Sequence, residues 1–146
     1  MNPVNIMIVD DSRGDRRLIQ EALKEVKLTT DYNLYSAEDG IEAIELLGLG
    51  GQNANPDTEM DLIILDLNMP RMDGREFLGI IKNHEQLSSI PVIVLTTSSN
   101  ESDIFEAYRL KANCYVTKPL DIGEFIVTVQ KLCDFWMSVV MLPKSA

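Results

Sequence analysis

The sequence predicts an α/β fold, a parallel sheet with helices on both faces. Three observations predict it. Strand-like and helical segments alternate five times along the chain, the signature of βα units joined by crossovers. The clearest strand candidates are continuously apolar, as expected of strands covered on both sides. The chain has 146 residues, enough for one domain with a substantial core. Val4–Val9 (VNIMIV) is the first strand. From Asp15 to Val26, apolar residues at Leu18, Ile19, Ala22, Leu23 and Val26 follow helical spacing. Leu34–Ala37 is a weaker strand candidate, and Ile41–Leu47 is helical. Gly48–Glu59, rich in glycine and asparagine, reads as a long exposed loop. Leu62–Leu65 is a buried strand and Arg75–Lys82 the third helix. Val92–Leu95, opened by Pro91, is the fourth strand, and Ser102–Lys111 the fourth helix. Cys114–Thr117 is a short fifth strand, and a long helix runs from Asp121 to about Leu142.

Composition excludes several function classes. The apolar fraction of 45% and charged fraction of 25% are ordinary for a globular protein. A net charge of -10 opposes direct DNA binding and anionic membranes, which need basic patches. It suits a protein that binds a cation or a basic partner surface. Cys114 and Cys133 lie apart in apolar surroundings without metal-ligand spacing, and are expected to be reduced. There is no apolar run of membrane-spanning length and no signal-peptide pattern, so a cytoplasmic protein is expected.

In parallel sheets of this kind, ligands bind beyond the carboxyl ends of the strands. Here the first strand ends in Asp10 and Asp11, the third in Asp66, the fourth in Thr96 and the fifth in Lys118. Each alone has an ordinary explanation: a helix cap, a good strand residue, a Lys–Pro turn. Together they gather three carboxylates, a hydroxyl and an amine at one edge. Clustered carboxylates suit Mg²⁺, which prefers oxygen ligands. A carboxylate can also accept a phosphoryl group as an acyl phosphate. Phosphoryl transfer demands mainly positioning and charge neutralisation. A cation, Lys118 and Thr96 around Asp66 would supply both.

These residues identify a resemblance. The pair Asp10-Asp11, the run DLNMPRMDG from Asp66 to Gly74, Thr96 after PVIVL, and YVTKP from Tyr115 to Pro119 resemble the response-regulator receiver domains of two-component signalling. The resemblance covers essentially the whole chain. It implies a doubly wound, flavodoxin-like (βα)5 fold with strand order 2-1-3-4-5. It implies Asp66 as phosphoacceptor, and Thr96 and Lys118 as the groups that bind the phosphoryl. It implies Mg²⁺, or Mn²⁺, held by Asp11, Asp66 and the backbone carbonyl of Asn68, with Asp10 acting through a bound water. It implies a cis peptide at Lys118–Pro119, an option essentially confined to proline. It also implies a switch in which Thr96 moves towards the phosphoryl group and Tyr115 turns inward behind it.

The expected organisation is one stand-alone receiver over 1–146, with a core at about 4–130, an extended C-terminal helix and no effector domain. The expected partner is a sensor histidine kinase, and output would pass through a protein contact, dimerisation or phosphorelay. The ending also resembles single-domain regulators of cyanobacterial phytochrome kinases and related archaeal regulators, several of which dimerise through the fourth helix, fifth strand and fifth helix. On the last helix, Leu132, Phe135, Val139 and Leu142 form a second apolar stripe, read equally well as dimer face or wider core. The expected chemistry is confined to the chain's own phosphorylation and dephosphorylation, so it is not read as an enzyme. Two other readings use the same residues: an interaction module that is never phosphorylated, and an aspartate-nucleophile phosphatase. The second needs an acid–base Asp two residues after the nucleophile, where this chain has Asn68.

Overall fold

The computed structural model describes residues 3–26, 31–49 and 59–143. Most of the glycine-rich loop, residues 50–58, lies outside them. The elements alternate as β1 (Val4–Val9), α1 (Arg13–Glu25), β2 (Tyr32–Ala37), α2 (Gly40–Leu46), β3 (Leu62–Leu65), α3 (Gly74–Lys82), β4 (Val92–Thr96), α4 (Glu101–Arg109), β5 (Cys114–Thr117) and α5 (Ile122–Asp134). The five strands form one parallel sheet in the order β2-β1-β3-β4-β5. The doubly wound fold is therefore as expected.

Alternate strand residues feed two cores, as the period of two along a strand requires. Met7, Val9, Ile63, Leu65, Val92 and Val94 pack on one face with Ala43 of α2, Phe77, Leu78 and Ile81 of α3 and Ala107 of α4. Ile6, Ile8, Leu62, Ile64, Ile93 and Leu95 pack on the other with Ile19, Ala22 and Leu23 of α1 and Phe125, Val129 and Cys133 of α5. Both cysteines are free thiols, and burial pushes that of Cys133 up to about 12.

Each of the α-helices α1 to α5 starts on a side-chain cap, which satisfies backbone N–H groups that have no partner within the helix. Ser12 Oγ accepts from the Asp15 amide, and Asp39, Asp73 and Asp121 accept from Glu42, Glu76 and Glu124. Asn100 accepts from Ser102. Because each helix follows a parallel strand, all five capped ends lie towards the strands' carboxyl edge.

Two expectations about elements need correction. β2 begins at Tyr32 rather than Leu34. The last helix does not run regularly to Leu142. It is α-helical to Asp134, forms a π-helical turn at Phe135–Val139, and turns extended at Val140. The Val140 amide donates to the Phe135 carbonyl at 2.9 Å, a wider i→i+5 turn that shifts the helical phase. Met137, four residues after buried Cys133, is buried, while Phe135 and Val139 are 50% and 65% exposed. Leu132 and Leu142 pack against the chain's own core, so the expected second stripe is split between core and surface.

Candidate phosphoacceptor site

The hydrogen-bond ladder continues one residue past the strands and so fixes the candidate side chains. The Asp10 amide donates to Ala37, the Asp66 amide to Val9 and the Lys118 amide to Thr96. Asp10, Asp66, Thr96 and Lys118 are all buried, at 2%, 7%, 0% and 6% exposure, while Asp11 and Asn68 face solvent.

Asp66 is held at both oxygens. Its Oδ1 accepts the Thr96 hydroxyl at 2.7 Å and, more loosely, the Asn68 amide at 3.4 Å. Its Oδ2 lies 3.3 Å from the Lys118 ammonium. That ammonium also donates to Asp10 Oδ2 at 2.7 Å and to Asp15 Oδ2 at 2.8 Å. Asp10 Oδ1 accepts the Ser12 amide at 2.9 Å. Burial pushes the Asp10 carboxyl up to about 6 against the opposing pull of Lys118. For Lys118, burial works against the charged form, but the hydrogen bonds it donates to Asp10 and Asp15 outweigh it and hold the amine protonated.

Carboxylate oxygens of Asp10, Asp11 and Asp66 lie within 4.8 Å of one another. Three hard oxygen donors this close repel one another unless a cation intervenes, so the donor set fits a divalent cation.

The loop from β3 to α3, which carries Asn68, is fixed from both sides. At Gly74 a Cβ would come within 2.7 Å of Leu67 Cα and press on the Asp66 carbonyl, so only glycine lets α3 start this close to Asp66. Arg71, at φ 64°, donates through Nε to Asp39 Oδ2 at 2.7 Å, and the Gly40 amide donates to the Met72 carbonyl.

The structure brings Asp10, Asp66, Thr96 and Lys118 together, and three further features differ from the sequence expectation or lie outside it. The described residues contain no cis peptide, so the Lys118–Pro119 bond is trans. Trans is the lower-energy form of an X–Pro bond by about 0.5–1 kcal/mol, and here the Lys118 side chain reaches its three carboxylates from a trans backbone. Asp15 was missed because an acidic residue in a helix's first turn ordinarily serves the helix dipole. A network around α4 was missed as well. Asp103 accepts from Ser98 Oγ at 2.6 Å and from Arg75 at 2.8 Å, and these two donors hold its carboxyl below the usual range. Tyr115 already points inward, its hydroxyl donating to the Ser98 carbonyl at 2.8 Å.

Residues 6–130 match the response regulator receiver domain family. The chain belongs to that family. This receiver is 43% identical over 141 residues to the response regulator Rcp1 of Synechocystis, covering 97% of this chain and 94% of Rcp1. The crystal structure of the Mn²⁺-bound form of Rcp1 superposes with a TM-score of 0.90 at 42% identity, covering 97% of this receiver and all of that chain. The phosphorylated cyanobacterial phytochrome response regulator RcpA matches equally well, with a TM-score of 0.90 at 43% identity over 98% and 100% of the two chains. A probable methanogenesis regulatory protein, FilR2 of the archaeon Methanothrix harundinacea, is 34% identical over 93% of this receiver and 85% of its own length. No helix among the described residues is long and apolar enough to cross a membrane.

Proposed function

We propose that this receiver takes a phosphoryl group onto Asp66 from the phosphohistidine of a sensor kinase of phytochrome type. The observation that carries the reading is the convergence of a buried hydroxyl and a buried ammonium on the two oxygens of one carboxylate. An Asp66 oxygen forms the new O–P bond as the P–N bond breaks, and the electron pair returns to the imidazole nitrogen. Thr96 and Lys118, already bonded to Asp66, are placed to donate to the phosphoryl oxygens that arrive there. The chemistry stays on the chain's own Asp66 rather than turning over a separate substrate. The phosphorylated RcpA structure supports the phosphoryl step, and the Mn²⁺-bound Rcp1 structure supports a divalent cation beside it.

Asp11, Asp66 and the Asn68 carbonyl would hold Mg²⁺ or Mn²⁺, with Asp10 reaching it through water. When bound, the cation supplies charge neutralisation. Asp10 has both oxygens engaged, whereas exposed Asp11 has no hydrogen bond or ion pair among the described residues. Asp11→Ala should therefore weaken Mg²⁺ binding more than Asp10→Ala, and a fluorescence or calorimetric titration with equal or reversed losses would contradict the assignment.

The signal would leave through α4, β5 and α5. Thr96 and Ser98 sit on one short segment, and Ser98 ties it to Tyr115 and, through Asp103, to α4. Phe105, Tyr108, Leu120 and Ile122 expose 71%, 48%, 97% and 62% of their surface on these elements and the loop before α5, which suits a protein contact. A homodimer through this region would use Phe135 and Val139 rather than Leu132 and Leu142. Sedimentation at micromolar concentration should then show a dimer that Phe135→Ser with Val139→Ser dissociates; a monomer with and without a phosphoryl mimic removes this part. Incubation with a small phosphodonor and Mg²⁺, followed by weighing the intact protein, tests the central step: one added phosphate supports it, and no adduct with any donor leaves only an interaction module.

A further inference from the structure

The Lys118 ammonium has three N–H donors and meets three carboxylates, one just past β1, one in the first turn of α1 and one just past β3. The two short bonds, 2.7 and 2.8 Å, go to Asp10 and Asp15. The long one, 3.3 Å, goes to Asp66. The lysine is therefore anchored by two carboxylates other than the phosphoacceptor, and its third donor is directed at Asp66.

Asp15 is itself fixed. Its amide is capped by Ser12 Oγ at 3.2 Å, and the next residue, Arg16, donates to the Asp10 carbonyl at 2.6 Å. The first turn of α1 is thus pinned to the end of β1, and Asp15 reaches a lysine side chain that is only 4% exposed. A helix-dipole role alone would leave this carboxylate in water. A metal-ligand role does not fit either, because Asp15 is not among the carboxylates whose oxygens cluster within 4.8 Å.

We infer that Asp15 is a positioning residue: together with Asp10 it fixes the Lys118 ammonium so that one N–H points at the place where the phosphoryl group on Asp66 must be met. A lysine stem has four rotatable carbons, and two anchors remove the freedom that one would leave. When Asp66 is phosphorylated, only the third donor has to change partner. The functional half of this inference rests on the phosphoacceptor reading above; the anchoring half does not.

Three variants separate position from charge. Asp15→Asn keeps an acceptor oxygen at the same reach and loses the charge. Asp15→Ala removes both. Asp15→Ser keeps a polar helix start but is too short to reach the ammonium, and serves where Asp15→Ala folds poorly. The first readout is the ¹⁵N-lysine spectrum without any phosphodonor, with the Lys118 ammonium assigned by its loss in Lys118→Met. Its slowly exchanging protons should be visible in the wild type and in Asp15→Asn, and lost to exchange in the Ala and Ser variants. The second readout is the phosphorylation rate with saturating phosphoramidate and Mg²⁺. It should fall about tenfold in Asp15→Ala and Asp15→Ser, and by no more than about threefold in Asp15→Asn, in the range that misplacing a single group produces. The Mg²⁺ concentration for half-maximal rate should change less than about twofold, since no proposed ligand is removed. An unchanged ammonium signal in Asp15→Ala, or an equal loss of rate in Asp15→Asn and Asp15→Ala, overturns the inference. A wild type that takes up no phosphate overturns the proposed function instead, while the ammonium spectrum still decides whether Asp15 anchors Lys118.

Discussion

Asp66→Asn should abolish the phosphate adduct completely while leaving the fold intact. The amide has the shape of the carboxylate but no anionic oxygen with which to form an acyl phosphate. No neighbouring carboxylate can take its place. Asp10 has both oxygens engaged, by the Ser12 amide and by Lys118, Asp15 is held by the same ammonium, and the single proton of the Thr96 hydroxyl goes to Asp66 rather than to Asp11. The substitution also removes one charge from a repelling group of carboxylates. Lys118 keeps its two short bonds, so thermal stability without divalent cation should be unchanged or raised. Loss of the adduct together with loss of the fold would mean that Asp66 is primarily structural. A retained adduct would place the acceptor elsewhere.

Lys118→Met should have the largest effect on stability, about 3 kcal/mol in the absence of divalent cations. Methionine fills much of the lysine stem's volume, so what is lost is the charge. Removing one partner of a buried ion pair leaves the others uncompensated, at a cost of about 3–5 kcal/mol. The lower end applies because Asp10, whose carboxyl burial has already pushed up to about 6, can take up a proton. Asp66 and Asp15 then depend on a cation from solution, so Mg²⁺ should raise the melting temperature of the variant more than that of the wild type. Denaturant unfolding with chelator and with Mg²⁺ measures both effects. A variant as stable as the wild type, or one that gains no more from Mg²⁺, would show that the ammonium does not balance the site's charge.

The parts of the molecule that the sequence showed are those with a local signature. β3, β4 up to Leu95 and β1 from Ile6 onward are buried on both sides and read as unbroken apolar runs. β2 is one of the sheet's two edge strands and only partly covered, so its first residues Tyr32 and Asn33 carry no such run. The strand-end residues were legible because a parallel sheet brings every carboxyl end to one edge whatever the loops do. What stayed hidden depends on geometry between distant segments. The π-helical turn at Phe135–Val139 breaks the constant 3.6-residue period from which the last helix was extrapolated, and the helix ends before Leu142. Arg75 and Asp103 are ordinary first-turn residues of two helices until the fold sets them 2.8 Å apart. Asp15 has the same character, being unremarkable within SRGDRR yet bonded to a lysine at the far end of the chain. The trans Lys118–Pro119 bond departs from the family habit and still delivers the ammonium to Asp66.

The central claim is that the phosphoryl group resides on Asp66 as an acyl phosphate. Borohydride reduces such a mixed anhydride to the alcohol, which turns a phosphorylated aspartate into homoserine. The receiver should be phosphorylated with a small donor and Mg²⁺, reduced, digested and sequenced by mass spectrometry. Homoserine at position 66, and at no other aspartate, is the predicted result. Homoserine at Asp10, Asp11 or Asp15, or none in a chain that has demonstrably gained a phosphate, would contradict the account.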